Sequence, residues 1–266
     1  MKLFHIRASE SYTAKPEQSQ FSSHTHDTYE IFYFISGNAE YSVEGNIYPL
    51  SHGDIVILNH METHHLILKK NTPYTRIGIH FKPTVEFKEE FHAALMSPFQ
   101  DRPLGCFNHF PVKKFPNNHW QYYLYGMCRT EDPIKKQVYL MALLQELADF
   151  CPQVKQMPTI RFADNILNIT HYIDNHLSEP LTLEQICEHF YISKSQINRN
   201  FKTNLGTTVG DYILTKRLVM AKTMIQQGQK PFSVYLQCGF NDYSTFFKAY
   251  KKKFEHSPKE EKVSTT

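Results

Sequence analysis

The spacing of apolar residues changes along this chain, and that change restricts the fold more than any other sequence feature. Residues 20–82 carry short runs rich in β-branched and aromatic residues, separated by turn signals such as Ser36-Gly37-Asn38. From Ile160 onward, apolar side chains recur every three or four residues, as they do on one face of a helix. A chain of 266 residues with both patterns is predicted to form two domains.

The first half is predicted to be a small antiparallel barrel or jelly roll followed by helices. The predicted strands are Glu30–Ser36, Glu40–Val43, Asp54–Leu58, His65–Leu68 and Arg76–Phe81. The predicted helices are Val85–Met96, Asn117–Met127 and Pro133–Phe150. The stretch from Cys151-Pro152-Gln153 to Met157-Pro158 is expected to end the last helix and form a linker. The predicted domains are therefore 1–150 and 161–266, an α+β chain with an all-α second domain.

Charge and cysteine usage narrow the classes of protein. Residues 161–266 hold 14 lysines and arginines against 10 acidic residues, whereas residues 1–160 hold 15 against 16. The basic surplus thus belongs to the second domain, as expected for one that faces a polyanion. The five cysteines are scattered, which argues against a disulfide framework or a zinc finger. There is no apolar signal core at the N-terminus and no run long enough to cross a bilayer, so we expect a cytoplasmic protein.

The second domain repeats one helix-start signal. Thr182-x-x-Gln185 and Ser193-x-x-Gln196 both fit the capping box, in which a hydroxyl and an amide satisfy free N–H groups reciprocally. They predict helices over 183–190 and 194–203, joined by a tight turn at Tyr191-Ile192. A short helix, a tight turn and a second short helix form a helix-turn-helix unit, whose second helix enters the major groove of DNA.

A second unit of this kind is predicted about 48 residues later. Its helices would run from Phe232 to Cys238 and from Asp242 to Lys253, with the turn at Gly239-Phe240-Asn241. A longer helix between the units, with Tyr212, Leu218 and Ile225 among its apolar residues, would set their separation. Two recognition helices held at a fixed spacing can read successive major-groove faces of one duplex.

These residues carry a specific resemblance. Over roughly 100 residues the order and spacing of the motifs resemble the AraC-type family of bacterial regulators. The matching positions are Leu183-Glu184-Gln185-Ile186-Cys187, Ile192-Ser193 to Arg199, Phe201-Lys202, Gly206, Tyr212, Arg217-Leu218, Ala221-Lys222, Gly239-Phe240-Asn241-Asp242-Tyr243-Ser244 to Phe246, Tyr250-Lys251 and Ser257-Pro258. The chain departs from the family at Cys187 and Tyr235, where alanine is usual, and at Pro231, where an aliphatic residue is usual.

The resemblance implies which side chains meet DNA. In the first unit it places Ser195, Asn198 and Arg199 at base edges, with Gln196 and Lys202 on the same outward side. In the second unit it places Tyr243, Ser244, Phe247 and Lys248 at base edges, and we expect Lys251 at a phosphate. The expected core residues are Ile186, Ile197, Phe201, Leu218, Phe240 and Phe246.

The first domain carries a histidine pattern with two interpretations. The run His24-x-His26-x-x-x-Glu30 resembles the first motif of cupin barrels, and Gly53-Asp54 through Asn59 to His64 resembles the second. Alternation along a strand would put His24 and His26 on the same face. In metal-binding cupins the corresponding side chains hold one ion, so His24, His26, Glu30 and His64 would bind zinc, manganese or iron. Alternatively the same residues hold the mouth of the barrel together or, with Tyr29 and Tyr41, line a pocket for a small-molecule effector, and no cofactor is required.

Three hypotheses follow for function. The leading one is a transcription regulator, an activator that binds double-stranded promoter DNA, contacts RNA polymerase and is controlled by a small molecule. It would dimerise through the helix at 134–150, unless that helix covers its own domain instead. The second is a cupin metalloenzyme with an appended DNA-binding domain, and the third is an architectural DNA-binding protein without sequence preference. The chain has no glycine-rich phosphate loop and no nucleophile motif, so we expect no enzyme activity.

Overall fold

A computed structural model describes residues 2–84, 87, 89–157 and 164–261, without the side chains of Glu89, Glu90, His92, Asp164 and Asn165. The chain divides into two compact units. The first comprises Met1–Ser22 and Thr28–Phe162, and the second comprises Ser23–Asp27 and Ala163–Thr266. Each unit has its own apolar core.

The first unit is built on two antiparallel sheets. Its strands are β1 (Phe4–Thr13), β2 (Tyr29–Ser36), β3 (Ala39–Val43), β4 (Asn46–Pro49), β5 (Ile55–Leu58), β6 (His64–Leu68), β7 (Tyr74–Pro83) and β8 (His109–Phe110). The five-stranded sheet has the order β1-β7-β2-β5-β8, and the three-stranded sheet has the order β4-β3-β6. Residues such as Ile31, Ile57 and Ile79 point from the larger sheet into a fully buried core. This is the cupin-like β domain that the strand spacing and the histidine motifs predict.

Three helices complete that core: α1 (Glu89–Gln100), α2 (Trp120–Arg129) and α3 (Pro133–Lys155). Leu140, Leu144 and Leu147 of α3 are fully buried in the same cluster as the larger sheet, so one face of this helix covers its own domain and the opposite face stays exposed. The predicted break at Cys151-Pro152-Gln153 is wrong, because α3 continues through Pro152. Cys151 and Val154 extend the buried stripe, and their packing outweighs the single backbone hydrogen bond that proline removes near the helix end.

The sequence patterns missed three strands and misplaced two helix starts. Strand β1 is the edge of its sheet, where Phe4 alone is fully buried and residues such as Ile6 are half-buried, so its sequence is mostly polar. Strands β4 and β8 are too short for a periodic signal. The helices predicted from Val85 and Asn117 begin at Glu89 and Trp120.

The second compact unit, which contains Ala163–Thr266, is helical. Its elements are α4 (Asp164–Asn175), α5 (Leu183–Phe190), α6 (Lys194–Leu205), α7 (Val209–Gln226), α8 (Pro231–Gln237) and α9 (Tyr243–Phe254). All six residues expected in its core are buried. The apolar spacing that begins at Ile160 is seen on α4 at Ile166, Ile169 and Ile173, and Leu177 is buried just after the helix. Ile160 and Phe162 lie outside the described residues.

Polar contacts hold α7 against its neighbours. Arg217 of α7 donates from Nε to the carbonyl oxygen of Leu177 at 2.9 Å and from Nη2 to that of Glu179 at 2.7 Å. The Nζ of Lys216, fully buried, lies 3.2 Å from the carboxylate of Asp174. Breaking such a pair by removing one partner costs about 3–5 kcal/mol, so Asp174 and Lys216 help to hold α4 and α7 together.

In the part of the chain that the structure covers, no helix has both the length and the apolar composition for a membrane crossing.

Candidate nucleic-acid interface and barrel cluster

The first helix-turn-helix unit consists of α5 and α6. At the start of α5, Thr182 Oγ1 accepts from the backbone N–H of Gln185 at 3.2 Å, and Gln185 Oε1 accepts from that of Thr182 at 2.8 Å. At the start of α6, Ser193 Oγ accepts from the backbone N–H of Gln196 at 3.2 Å. Tyr191 makes the turn in the left-handed region, with φ 53° and ψ 44°. The predicted turn and both cap residues are therefore confirmed, but the reciprocal capping box forms only at Thr182 and Gln185, since the start of α6 has the serine bond alone.

The outer face of α6 presents polar and cationic side chains. Ser195, Gln196, Arg199 and Lys202 are exposed, whereas Ile197 and Phe201 are fully buried on the opposite face. Asn198 differs from these because it is half-buried. Its Nδ2 donates to the carbonyl oxygen of Lys194 at 3.1 Å, and its Oδ1 accepts from the backbone N–H of Val209 at 3.4 Å. In this structure Asn198 thus links the recognition helix to the start of α7.

The second unit consists of α8 and α9 and has a different turn. Gly239 adopts φ 75°, and a Cβ atom there would lie 2.4 Å from the carbonyl oxygen of Leu177 and 2.8 Å from the guanidinium carbon of Arg217. Asp242 caps α9 by accepting from the backbone N–H of Thr245 at 2.8 Å. Hydrogen bonds from the side chain and from the backbone N–H of Thr245 lower the pKa of Asp242.

The bulky Tyr235, which replaces the usual alanine, is accommodated among other aromatic rings. Its ring centroid lies 5.6 Å from those of Phe232 and Tyr243 and 6.5 Å from that of Phe246. Aromatic pairs at such distances are favourable beyond the area they bury. The departure from the family pattern is therefore compensated within the second unit itself.

The two recognition helices match position by position when counted from their caps. Arg199 and Lys248 are each six residues after the cap, and Lys202 and Lys251 are each nine residues after it. All four are exposed. The residue five positions after the cap is Asn198 in α6 and Phe247 in α9.

Comparison with known proteins agrees with this geometry. A helix-turn-helix domain model matches residues 186–262, and an AraC-like ligand binding domain model matches residues 8–89. The chain belongs to the AraC-type family of transcription regulators. It is a DNA-binding regulator with an N-terminal ligand-binding domain.

Individual relatives of this AraC-type regulator differ in coverage. The chain is 35% identical over 95 residues to the probable transcriptional regulator LumQ of Photobacterium leiognathi, a match that covers 35% of this chain and 38% of LumQ. It is 21% identical over 257 residues to the transcriptional activator RhaS of Escherichia fergusonii, covering 91% of this chain and 88% of RhaS. A crystal structure of ToxT from Vibrio cholerae aligns with a TM-score of 0.40 and 14% identity, over 97% of this chain and 97% of ToxT.

In the ligand-binding domain of the regulator, the structure brings Glu30 and His64 together. Both side chains are buried, and His64 Nε2 lies 3.5 Å from Glu30 Oε2. His64 Nδ1 lies 2.8 Å from the carbonyl oxygen of Glu62. Because a carbonyl only accepts, Nδ1 carries a proton and Nε2 is the atom that faces the carboxylate. A proton or a metal cation on Nε2 then makes the contact with Glu30 attractive.

A buried ion pair between Glu62 and Arg102 helps to position His64. The Glu62 carboxylate accepts from Arg102 Nη1 at 2.6 Å and from Arg102 Nη2 at 2.8 Å, and also from the backbone N–H of Gly105 at 2.6 Å. Burial raises the pKa of Glu62, but Arg102 and the N–H donors outweigh burial and leave it lowered. The charged pair fixes the backbone at Glu62, and with it the carbonyl that orients His64.

The structure also describes the two tyrosines and two histidines singled out from the barrel sequence. Tyr41 is buried, with its ring centroid 4.5 Å from that of Phe32 and 6.0 Å from that of His64. Tyr29 is also buried, and its hydroxyl accepts from Gln100 Nε2 at 2.8 Å. His24 and His26 belong to Ser23–Asp27, which groups with the compact unit of Ala163–Thr266 and not with that of the sheets. Neither lies on a strand, so strand alternation does not align them, but their ring centroids lie 5.9 Å apart and the expected neighbourhood of the two side chains is confirmed.

Several exposed apolar side chains were not anticipated. Tyr191, Phe232 and Leu236 are 97%, 68% and 58% exposed. Phe232 and Leu236 are four residues apart on the face of α8 opposite the buried Val234. In the N-terminal domain, Ile134 and Val138 of α3 are 69% and 59% exposed. The four-residue spacing on the polar side of each helix is the sequence signal that could have identified these pairs.

Proposed function

We propose that this regulator binds promoter DNA through both recognition helices and activates transcription in response to a small molecule bound in the barrel. The observation that carries the proposal is the positional match of α6 and α9. Both helices expose a cation six and nine residues after their caps, and α7 lies between the two units as a single helix. Activation is supported by the name of RhaS, an activator that the chain resembles over most of its length.

The test is selection of duplexes from a random pool by the full-length protein, followed by affinity measurements on the selected duplex. We expect log affinity to fall steeply and linearly with log salt concentration, because each phosphate contact releases counterions. A scrambled duplex should bind much more weakly, which distinguishes a specific regulator from an architectural protein. If the folded chain selects no sequence and binds both duplexes alike, the proposal is wrong.

For the barrel we propose that Glu30 and His64 bind a polar group of the effector. The pair lies buried next to Tyr41, in surroundings where a few polar groups orient a small ligand. A metal ion is the alternative that the geometry also fits. Zn–N and Zn–O bonds of about 2.0–2.1 Å at tetrahedral angles separate two ligand atoms by about 3.4 Å. The observed separation is 3.5 Å, and His80 Nδ1 lies 4.0 Å from the same carboxylate.

Elemental analysis of protein purified without an affinity tag separates the two. We expect less than about a tenth of an equivalent of any transition metal, no uptake on titration, and a thermal shift with a metabolite that Glu30→Gln abolishes. His5→Ala, an exposed histidine on β1, is the matched control. A full equivalent of metal that is lost in both Glu30→Gln and His64→Ala would favour the metalloenzyme hypothesis, and turnover would then be sought. His24 and His26 remain predicted ligands.

We further propose that the protein dimerises through α3, contacts RNA polymerase and works in the cytoplasm by binding rather than by catalysis. Ile134 and Val138 form an apolar strip on α3, and Tyr122 of neighbouring α2 is 67% exposed. Exposed apolar surface marks contacts with other proteins, and we propose a second copy of this chain as the partner here. Sedimentation should show a dimer that Val138→Glu dissociates and Lys135→Ala leaves intact. Transcription in vitro with purified RNA polymerase tests activation directly.

A further inference from the structure

One position of the recognition helices carries opposite chemistry in the two units. Five residues after the cap, α6 has Asn198, whose amide bonds to the backbone of Lys194 and Val209. At the same position α9 has Phe247, which can make no such hydrogen bonds. The side chain at this position must therefore have a different role in the second helix-turn-helix unit.

Phe247 lies at the edge of the outer face of α9. It is half-buried, whereas Phe246 and Tyr250 on the inner face are fully buried and belong to the core. Its ring centroid lies 6.2 Å from that of Tyr243, one helical turn earlier and also half-buried. The two rings form an apolar edge, which we call the aromatic edge.

Cationic and polar side chains border the aromatic edge. Lys248 and Lys251 are exposed on the same outer face, and the exposed Ser244 lies on that face one turn before Lys248. Lysines at these positions complement the negative charge of DNA phosphates. The face that presents the aromatic rings is therefore also the face suited to binding a DNA duplex. In the major groove the apolar group available to such rings is the C5-methyl group of thymine.

We propose that the second unit reads thymine through its methyl group, by apolar contact with Phe247 supported by Tyr243, whereas the first unit reads bases by hydrogen bonding. This inference rests on the proposed function, in which α9 enters the major groove. It assigns a thymine preference to the half-site bound by the second unit.

The test replaces thymine by deoxyuridine, which lacks only the methyl group. The duplex selected by the full-length protein is resynthesised with deoxyuridine at one thymine at a time. Burial of one methyl group corresponds to about a three- to fivefold change in affinity. We expect a loss of this size at one or two positions of the half-site read by the second unit. The half-site read by the first unit, located by the positions where Arg199→Ala relaxes base preference, should be insensitive.

Variants assign the effect to the side chain. Phe247→Ala should weaken binding to the thymine duplex and bind the deoxyuridine duplex equally well. Phe247→Leu keeps an apolar group and should retain most of the discrimination, which guards against a folding defect in the alanine variant. Leu236→Ala, which removes an exposed apolar side chain on α8, should behave like the wild type.

The outcomes separate this inference from the proposed function. If sequence-specific binding is observed but wild-type affinity is unchanged by every deoxyuridine, the proposed function stands and the methyl readout is wrong. The readout is equally wrong if Phe247→Ala keeps the full thymine preference while still folding. If the protein selects no duplex at all, the proposed function fails and takes this inference with it.

Discussion

The two helix-turn-helix units have the same spacing but achieve it with different residues. In both, the buried anchor aromatic lies eight positions after the cap of the recognition helix, Ser193 to Phe201 and Asp242 to Tyr250. The first cap is a neutral hydroxyl and the second is a carboxylate. The cap and the anchor therefore fix the geometry of each helix-turn-helix unit, while the side chains between them can differ in chemistry.

The turns differ more than the helices. Tyr191 occupies the left-handed region in the first turn, and its side chain is almost fully exposed to solvent. In the second turn Gly239 also has a positive φ, but the carbonyl oxygen of Leu177 and the side chain of Arg217 lie against it. One turn therefore tolerates a large side chain at a cost in backbone strain, and the other tolerates none.

The largest expected effect is on stability at Gly239. Gly239→Ala should lower the free energy of unfolding by more than about 2 kcal/mol, because left-handed backbone costs an L-residue about 1–2 kcal/mol and the new Cβ would strike a carbonyl oxygen. Denaturant unfolding of the full chain measures this. Gly210→Ala is the control, since a Cβ there meets no atom within 4 Å and alanine favours a helix by about 1 kcal/mol. Equal effects of the two variants would contradict the asymmetry.

The next effect concerns base readout by the first unit. Arg199→Ala should weaken binding to the selected duplex by about 1–3 kcal/mol and relax preference at one or two positions. Lys251→Ala in the second unit should weaken all duplexes alike and reduce the slope against salt, because a phosphate contact carries no sequence information. Affinities on selected and scrambled duplexes at several salt concentrations decide this. Equal losses on both duplexes for Arg199→Ala would show that α6 does not read bases.

A smaller effect of opposite sign is expected in the first turn. Tyr191→Gly should raise the free energy of unfolding by about 0.5–1 kcal/mol, since relief of left-handed strain exceeds the extra chain entropy of glycine. Thermal unfolding monitored by circular dichroism is sufficient to detect it. A destabilised variant would mean that the exposed ring makes a stabilising contact, and the contrast between the turns would weaken.

The smallest effect is on pH dependence and separates the two caps. The pKa of Asp242 is lowered in the folded state by its hydrogen bonds with Thr245. Its cap is therefore complete above the ordinary aspartate pKa and is lost as pH falls through the folded-state value. Hydrogen exchange should show α9 losing protection on acidification before α6, whose cap Ser193 does not titrate. In Asp242→Ser this difference should vanish, and its persistence would assign the acid sensitivity to another group.

The sequence by itself determined the helical C-terminal domain closely. Helix α5 has the predicted limits, because Thr182 and Gln185 form a local cap that needs no tertiary contact. The turns, the buried anchors and the match of Lys202 with Lys251 follow from the same local signals, since helix spacing converts directly into a face. The prediction of two recognition helices rests on these positions.

Only the tertiary structure decided the rest. Helix α3 passes Pro152 because apolar residues on both sides of it pack into the core, and no local signal shows that packing. The edge strand β1 pairs with β7 some seventy residues away, and such long-range pairing leaves no periodic pattern in a polar sequence. The contact of His64 with Glu30 likewise joins two strands that are distant in the chain. Capping and helix periodicity act over a few residues and can be read from the sequence, whereas burial depends on distant segments that meet only in the folded chain.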